Sequence, residues 1–281
     1  GGKPAGQNDF FIEEGGRLGE VYGYELDGFY TTDDFSWDGS KWILNENLTD
    51  PTELIKYNNF GPGSLKLKAD EDGKFTKKRL GNTVPTVTGG FGINMRYKNF
   101  DLSAFFNYSL GNKIVNATKL GSSYYNDTKK GWNLNDNFTL ANRYSWIDPS
   151  TGENMLKSSY IKSNGLDYTI NRLNEINAGA SMYNPGSITE MPLLDWAVED
   201  GSFLRVNNIS IGYTLPKVFV NKMFMQNVRI YVTGYNLYCF TKYSGADPEV
   251  DTRRSTPMTP GVDYSAYPKS RSFVGGINVT F

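Results

Sequence analysis

The clearest pattern runs from Pro85 to Gly111. Between Val87 and Tyr97 the odd positions Val87, Gly89, Phe91, Ile93, Met95 and Tyr97 are apolar or glycine. The even positions Thr88, Gly90, Gly92, Asn94 and Arg96 are small or polar. A period of two predicts a strand with one apolar face. After Lys98-Asn99-Phe100 the alternation resumes at Leu102, Ala104, Phe106, Tyr108 and Leu110, with Phe105 the exception. Ten residues at roughly 3.3 Å each, tilted near 40°, rise about 25 Å, the height of the apolar band on an outer-membrane barrel.

Further runs follow near the C-terminus. Residues 202–215 are apolar at Leu204 and Val206, then at Ile209, Ile211, Tyr213 and Leu215, so the phase slips at Asn207-Asn208 and predicts a bulge. Residues 227–237 carry Val228, Ile230 and Val232 on one face. Residues 271–281 carry Phe273, Gly275, Ile277, Val279 and Phe281. A strand with an ambiguous face is expected over 17–26. The connections alternate strictly between short (98–101, 216–226) and long (27–84, 112–200, 238–269), as in barrels that keep short turns in the periplasm and long loops outside. The lipid-facing side chains expected on this basis are Phe91, Ile93, Met95, Ala104, Phe106, Tyr108, Val228, Ile230, Val232, Ile277 and Val279. Six strands (17–26, 86–98, 101–111, 202–215, 227–237, 271–281) cannot close a polar lumen, and open edges are not tolerated in lipid. The chain therefore reads as all-β, a part of a larger transmembrane barrel whose remaining strands lie elsewhere.

Composition narrows the chemistry. The net charge of −1 over 281 residues offers no basic field for nucleic acid. Without His there is no Ser-His-Asp triad, Cys-His pair or His-ligated metal, and the lone Cys239 has no partner for an internal disulfide. No cofactor is expected. The Asp70-Glu71-Asp72-Gly73 stretch has alternating carboxylates, but Lys68 and Arg79 stand where a calcium loop needs oxygen ligands, so a tight acidic turn is the better reading. A short helix is expected around Ile170–Ala178. The long loops are rich in aromatics, and Tyr124, Tyr125, Trp132 and Trp146 are candidate ligand or lid contacts, against the plainer expectation that such rings pack the loops.

A set of segments carries a resemblance. Val198 to Asn208 (VEDGSFLRVNN), Gly212 to Pro216 (GYTLP), Tyr235-Asn236-Leu237, Tyr243 to Val250 (YSGADPEV) and Gly261 to Tyr264 (GVDY) come in order. Tyr22-Gly23-Tyr24, Asp70 to Thr76, Tyr97 to Leu102 and Gly111-Asn112-Lys113 precede them. Together they resemble SusC/RagA-type TonB-dependent outer-membrane transporters of Bacteroidetes. The resemblance implies that this is the C-terminal part of a barrel of about 22 strands, localised to the cell outer membrane. It implies import of glycans, oligosaccharides or peptides, energised through TonB, beneath a SusD-like surface lipoprotein. The plug and the TonB-contacting segment would lie on the missing N-terminal part, and Phe281 would be part of the barrel-assembly signal. A secreted carbohydrate-binding β-sandwich is the alternative, and a surface glycosidase a more distant one.

Overall fold

The computed structural model describes residues 9–125, 133–249 and 259–281. The chain divides into two compact units, residues 1–80 with 116–198 and residues 81–115 with 199–281.

The second unit is built on one antiparallel sheet of five long strands. These are β1 (Val87–Tyr97), β2 (Phe100–Leu110), β3 (Phe203–Thr214), β4 (Asn227–Thr241) and β5 (Ser272–Thr280). Their order is β5-β4-β3-β2-β1, so every pairing is antiparallel between sequence neighbours. The β1–β2 connection is a two-residue hairpin with Lys98 at φ +54°, a conformation that suits the primed turns matching strand twist. Among the described residues β1 and β5 are edges, each paired on one side within this sheet.

Two bulges keep the apolar positions in phase. Asn207 is extra relative to β2, because Val206 opposes Phe106 while Asn208 opposes Phe105. β4 answers with an extra residue of its own, since Val206 opposes Tyr238 and Asn208 opposes Tyr235. Asn236 takes φ +50° there, and Asn is among the few side chains that tolerate the left-handed region. This second slip carries β4 beyond the expected end at Leu237, to Thr241.

The run expected over 17–26 is not part of this sheet. Glu20–Gly23 pairs with Phe10–Phe11, and Leu26–Phe29 pairs with Leu65–Leu67. Gly19, at φ +84°, precedes the first pairing, Gly28, at φ +75°, sits in the bulge of the second, and Val21 is fully buried in the first unit.

The first unit holds short strand pairs and helices around an aromatic core of Tyr30, Phe35, Trp42, Tyr144, Trp146, Met155, Tyr160, Ile161 and Leu173. Tyr30, Phe35 and Phe60 meet edge to face at 5.2–5.8 Å between ring centroids. Gly63, at φ +84°, lets the Tyr144 ring lie directly on the backbone. The helices of this unit are α1 (Ala117–Gly121), α2 (Ser158–Asn164) and α3 (Leu166–Ile176). The helix expected around Ile170–Ala178 is α3, starting four residues earlier because Gly165 at φ +89° ends α2 and opens α3.

Candidate functional site

Cross-strand partners in an antiparallel sheet share a face, so the register sorts all five strands at once. One face reads in rows: Tyr97, Phe100, Tyr213, Ile230, Ile277; then Met95, Leu102, Ile211, Val232, Gly275; then Ile93, Ala104, Ile209, Gly234, Phe273; then Phe91, Phe106, Val206, Tyr238; then Gly89, Tyr108, Leu204, Phe240. No charged residue interrupts it. Phe91 and Phe106 stack at 4.8 Å. Tyr108 lies over Gly89, where a Cβ would come within 2.7 Å of its hydroxyl.

Aromatics stand in the first row, at Tyr97, Phe100 and Tyr213 toward the short turns, and in the last two rows, at Phe91, Phe106, Tyr238, Tyr108 and Phe240 toward the long connections. Gly89 and Tyr97 are eight residues apart along β1. That separation is about 26 Å along the strand and roughly 20 Å of height at a 40° tilt, close to the spacing of aromatic girdles on a bilayer.

Much of the apolar face is exposed. Ile93 and Ile230 are 43% and 46% exposed, and Phe91, Met95, Val232, Ile277 and Val279 are likewise exposed. Ala104, Phe106 and Tyr108 are half-buried by their neighbours. Val228 is the exception among the expected lipid-facing residues. It is buried where the short helix α4 (Lys217–Val220) packs on β4. Phe281 is exposed at the end of β5.

The opposite face is polar. Arg229 clasps Asp101 across the width of β3, with Nε to Oδ1 at 2.9 Å and Nη2 to Oδ2 at 2.5 Å. The strand between them presents Gly212, where any Cβ would sit 2.4 Å from Arg229 Nη2. Thr233 Oγ1 donates to Ser210 Oγ at 2.8 Å, and Tyr231 lies over Gly276.

Above the strands, toward the long connections, segments distant in sequence meet. Arg205 is buried, with Nη2 at 2.5 Å from Asp247 Oδ1. Its Nε is 2.8 Å from Glu249 Oε2, at ion-pair distance but not aligned as a hydrogen bond. Lys269 reaches the same Glu249 at 2.6 Å. Tyr243 donates its hydroxyl to buried Asp263 at 2.6 Å, and burial, reinforced by that carboxylate, pushes the phenol pKa up. Ser244 donates through N and Oγ to Glu199. These contacts join the VEDGSFLR, YSGADPE and GVDY segments, which explains why those residue types sit there. A cleft of about 520 Å³ opens beside them, lined by residues including Thr88, Asn107, Ser109, Phe203 and Glu249.

In the first unit, two of the four candidate contact aromatics serve packing. Tyr124 and Trp146 are buried, and the Trp146 indole donates to the Pro62 carbonyl at 2.7 Å. Tyr125 is 44% exposed and edges a cleft of about 570 Å³ with Arg143, Asn184 and Ile147. Trp132 lies outside the described residues. Nearby, buried Asp148 accepts from the Tyr160 hydroxyl at 2.6 Å, from Ser150 N and Oγ, and from Arg172. The Tyr160 hydrogen bond, then those of Ser150, hold this carboxyl well below the usual range. Asp70 spends its carboxylate on the backbone N–H groups of Lys74 and Asp72, as a tight turn requires. Sequence reasoning singled out neither the Asp101–Arg229 clasp nor the Arg205 cluster as a site. An acidic residue and an arginine on the same face of different strands was the available signal.

No protein-family model matches the chain. TonB-dependent receptor P3 of Formosa agariphila is 31% identical over 279 residues, which is 96% of this chain and 23% of that protein. TonB-dependent receptor SusC of Bacteroides thetaiotaomicron is 23% identical over 285 residues, 98% of this chain and 22% of that protein. Among solved structures, that of the RagAB peptide transporter shares the fold at a TM-score of 0.56 and 20% identity, over 99% of this chain and 24% of that one. The chain thus spans about a quarter of the length of the relatives it matches. It is a mostly β chain homologous to part of TonB-dependent receptors, SusC among them, and it shares the fold of the corresponding part of the RagAB transporter.

Proposed function

We propose that this chain is an arc, at the C-terminal side, of the wall of an outer-membrane importer of about 22 strands. The observation that carries the reading is the register. Five strands whose alternations could have fallen out of phase instead align into one uncharged face with aromatics in its first row and its last two. In a sandwich those side chains would pack against a second sheet; here Phe91, Ile93, Met95, Ile211, Val232 and Ile277 are exposed. Lipid covers the apolar face, and the polar face with the Asp101–Arg229 clasp lines the lumen. The unpaired edges of β1 and β5 pair with further strands of the same barrel, because lipid leaves no other partner for their backbone groups.

In this reading the short turns lie in the periplasm and the long connections outside the cell. The plug and the TonB contact reside on the remainder of the protein, and a SusD-like lipoprotein covers the outer mouth. Import of oligosaccharides or peptides follows from binding and gated passage, with no bond broken by this chain. Tyr125 is the exposed aromatic best placed for a ligand or lid contact. The reading is supported by the names of the relatives and tested in cells. Deleting the full-length gene should abolish uptake of one of the two substrate classes and leave the protein's lipoprotein partner without its co-purifying barrel. Unchanged growth on both classes, or recovery of the protein from the detergent-free soluble fraction, would overturn it.

A further inference from the structure

The connection between β3 and β4 carries an unusual load for its length. Residues 216–226 contain no acidic side chain and two lysines, Lys217 and Lys222. Val220 is buried and α4 packs on β4, so the connection is seated rather than dangling. Yet Val218 is 70% exposed, Phe219 61% and Phe224 94%. Phe224 also holds φ +57°, a left-handed conformation that a bulky side chain adopts only when its surroundings impose it. Phe224 closes the turn 221–223, its N–H on the Asn221 carbonyl, and leaves its phenyl ring exposed.

The place of this display matters. Leu215 N donates to Val228 O and Gln226 N donates to Thr280 O, which ties the connection to the short-turn end of β4 and β5. At that end the apolar face closes with Tyr97, Phe100 and Tyr213, and exposed Phe281 follows Thr280. Lys98 sits at the neighbouring hairpin with Nζ 5.3 Å from the Tyr97 ring. None of Lys98, Lys217 and Lys222 has an ion-pair partner among the described residues. Exposed rings and unpaired cations together, continuous with an apolar wall, are the composition of an interfacial membrane anchor.

We propose that residues 216–226 form a foot in the lipid–water interface of the leaflet on the short-turn side, with Phe219 and Phe224 among the upper acyl chains and Lys217 and Lys222 on phospholipid phosphates. This deepens the barrel-wall reading and rests on it. The foot fixes the height of the wall in the bilayer at the point where β3 turns into β4.

The test uses the full-length protein, Cys239→Ser, in vesicles of phosphatidylethanolamine and phosphatidylglycerol. Spin labels are placed singly through Phe224→Cys, Ile93→Cys on the apolar face and Glu53→Cys as an aqueous control. The foot predicts that the label at 224 collides several-fold more with oxygen than with a water-soluble nickel chelate, as at 93 and opposite to 53. The double variant Lys217→Glu with Lys222→Glu should shift the 224 label toward the nickel chelate. A label at 224 that behaves like 53 while 93 stays in lipid overturns the foot and leaves the wall intact. A label shielded from both probes means a protein cover and also overturns it. Aqueous behaviour at 93 as well refutes the wall itself.

Discussion

Gly212 is the position at which the polar face is easiest to perturb and hardest to misread. A strand glycine replaced by alanine ordinarily stabilises by about 0.5–1 kcal/mol. At Gly212 the new Cβ would lie 2.4–2.6 Å from three atoms of the Arg229 guanidinium, which must then leave Asp101. Gly212 has no left-handed φ, so the cost is steric and electrostatic. Exposed ion pairs contribute about 0.2–1 kcal/mol. This pair is bidentate, with side chains 26% and 32% exposed, so it falls above that range but below a buried pair. The net expectation for Gly212→Ala is a loss of about 1–2 kcal/mol. Gly275→Ala is the control, because its Cβ meets nothing within 4 Å. The assay is guanidinium unfolding of the full-length protein in phospholipid vesicles, arranged as a double-mutant cycle with Asp101→Asn. If Gly212→Ala acts by opening the clasp, the two substitutions overlap with a coupling of about 1 kcal/mol. Additivity within about 0.3 kcal/mol, or a Gly212→Ala indistinguishable from Gly275→Ala, would refute the reasoning.

Other consequences are as direct. Asp247→Asn leaves Arg205 buried beside a single half-buried carboxylate, and should destabilise the long-connection end by about 3 kcal/mol, read as a lowered unfolding midpoint. Gly63→Ala should cost several kcal/mol, from left-handed strain plus collision with the Tyr144 ring, whereas Gly39→Ala carries the strain alone, about 1–2 kcal/mol. Limited proteolysis of the first unit separates the two. The Asp148 carboxyl is held low in the fold, so its contribution is complete above the unfolded value of about 3.9 and is lost as pH falls through the folded one. The Tyr160 phenol is raised to about 12, so its contribution is present below about pH 10 and is lost as pH rises toward 12. Near-UV circular dichroism of the protein should therefore be flat between about pH 5 and 9, and Asp148→Asn should blunt the acid limb.

The strands were legible because their information is local. β1 and β2 alternate without a break around a two-residue turn, and the slip at Asn207-Asn208 announced its own bulge. The compensating slip at Asn236-Leu237 was not legible, since Tyr-Asn-Leu reads as an ending; only pairing with β3 shows that Tyr238 and Phe240 resume the apolar face. The run at 17–26 had no decided face, and its partners Phe10–Phe11 and Leu65–Leu67 are chosen by tertiary packing. The loop aromatics were ambiguous for the same reason. Trp146 meets Pro62 across 84 residues, a contact no window of sequence contains. The convergence of Arg205, Asp247 and Glu249 needed the fold, since their segments lie some forty residues apart.

Ile93 and Asn94 are adjacent on β1, near its middle, and point to opposite faces. Replace each by arginine in the full-length protein and titrate unfolding from phospholipid vesicles. A lipid-facing wall predicts that Ile93→Arg loses about 2–4 kcal/mol while Asn94→Arg, facing a wet lumen, stays within about 1 kcal/mol of the parent. Equal costs at the two positions, or a larger cost at Asn94, would contradict it.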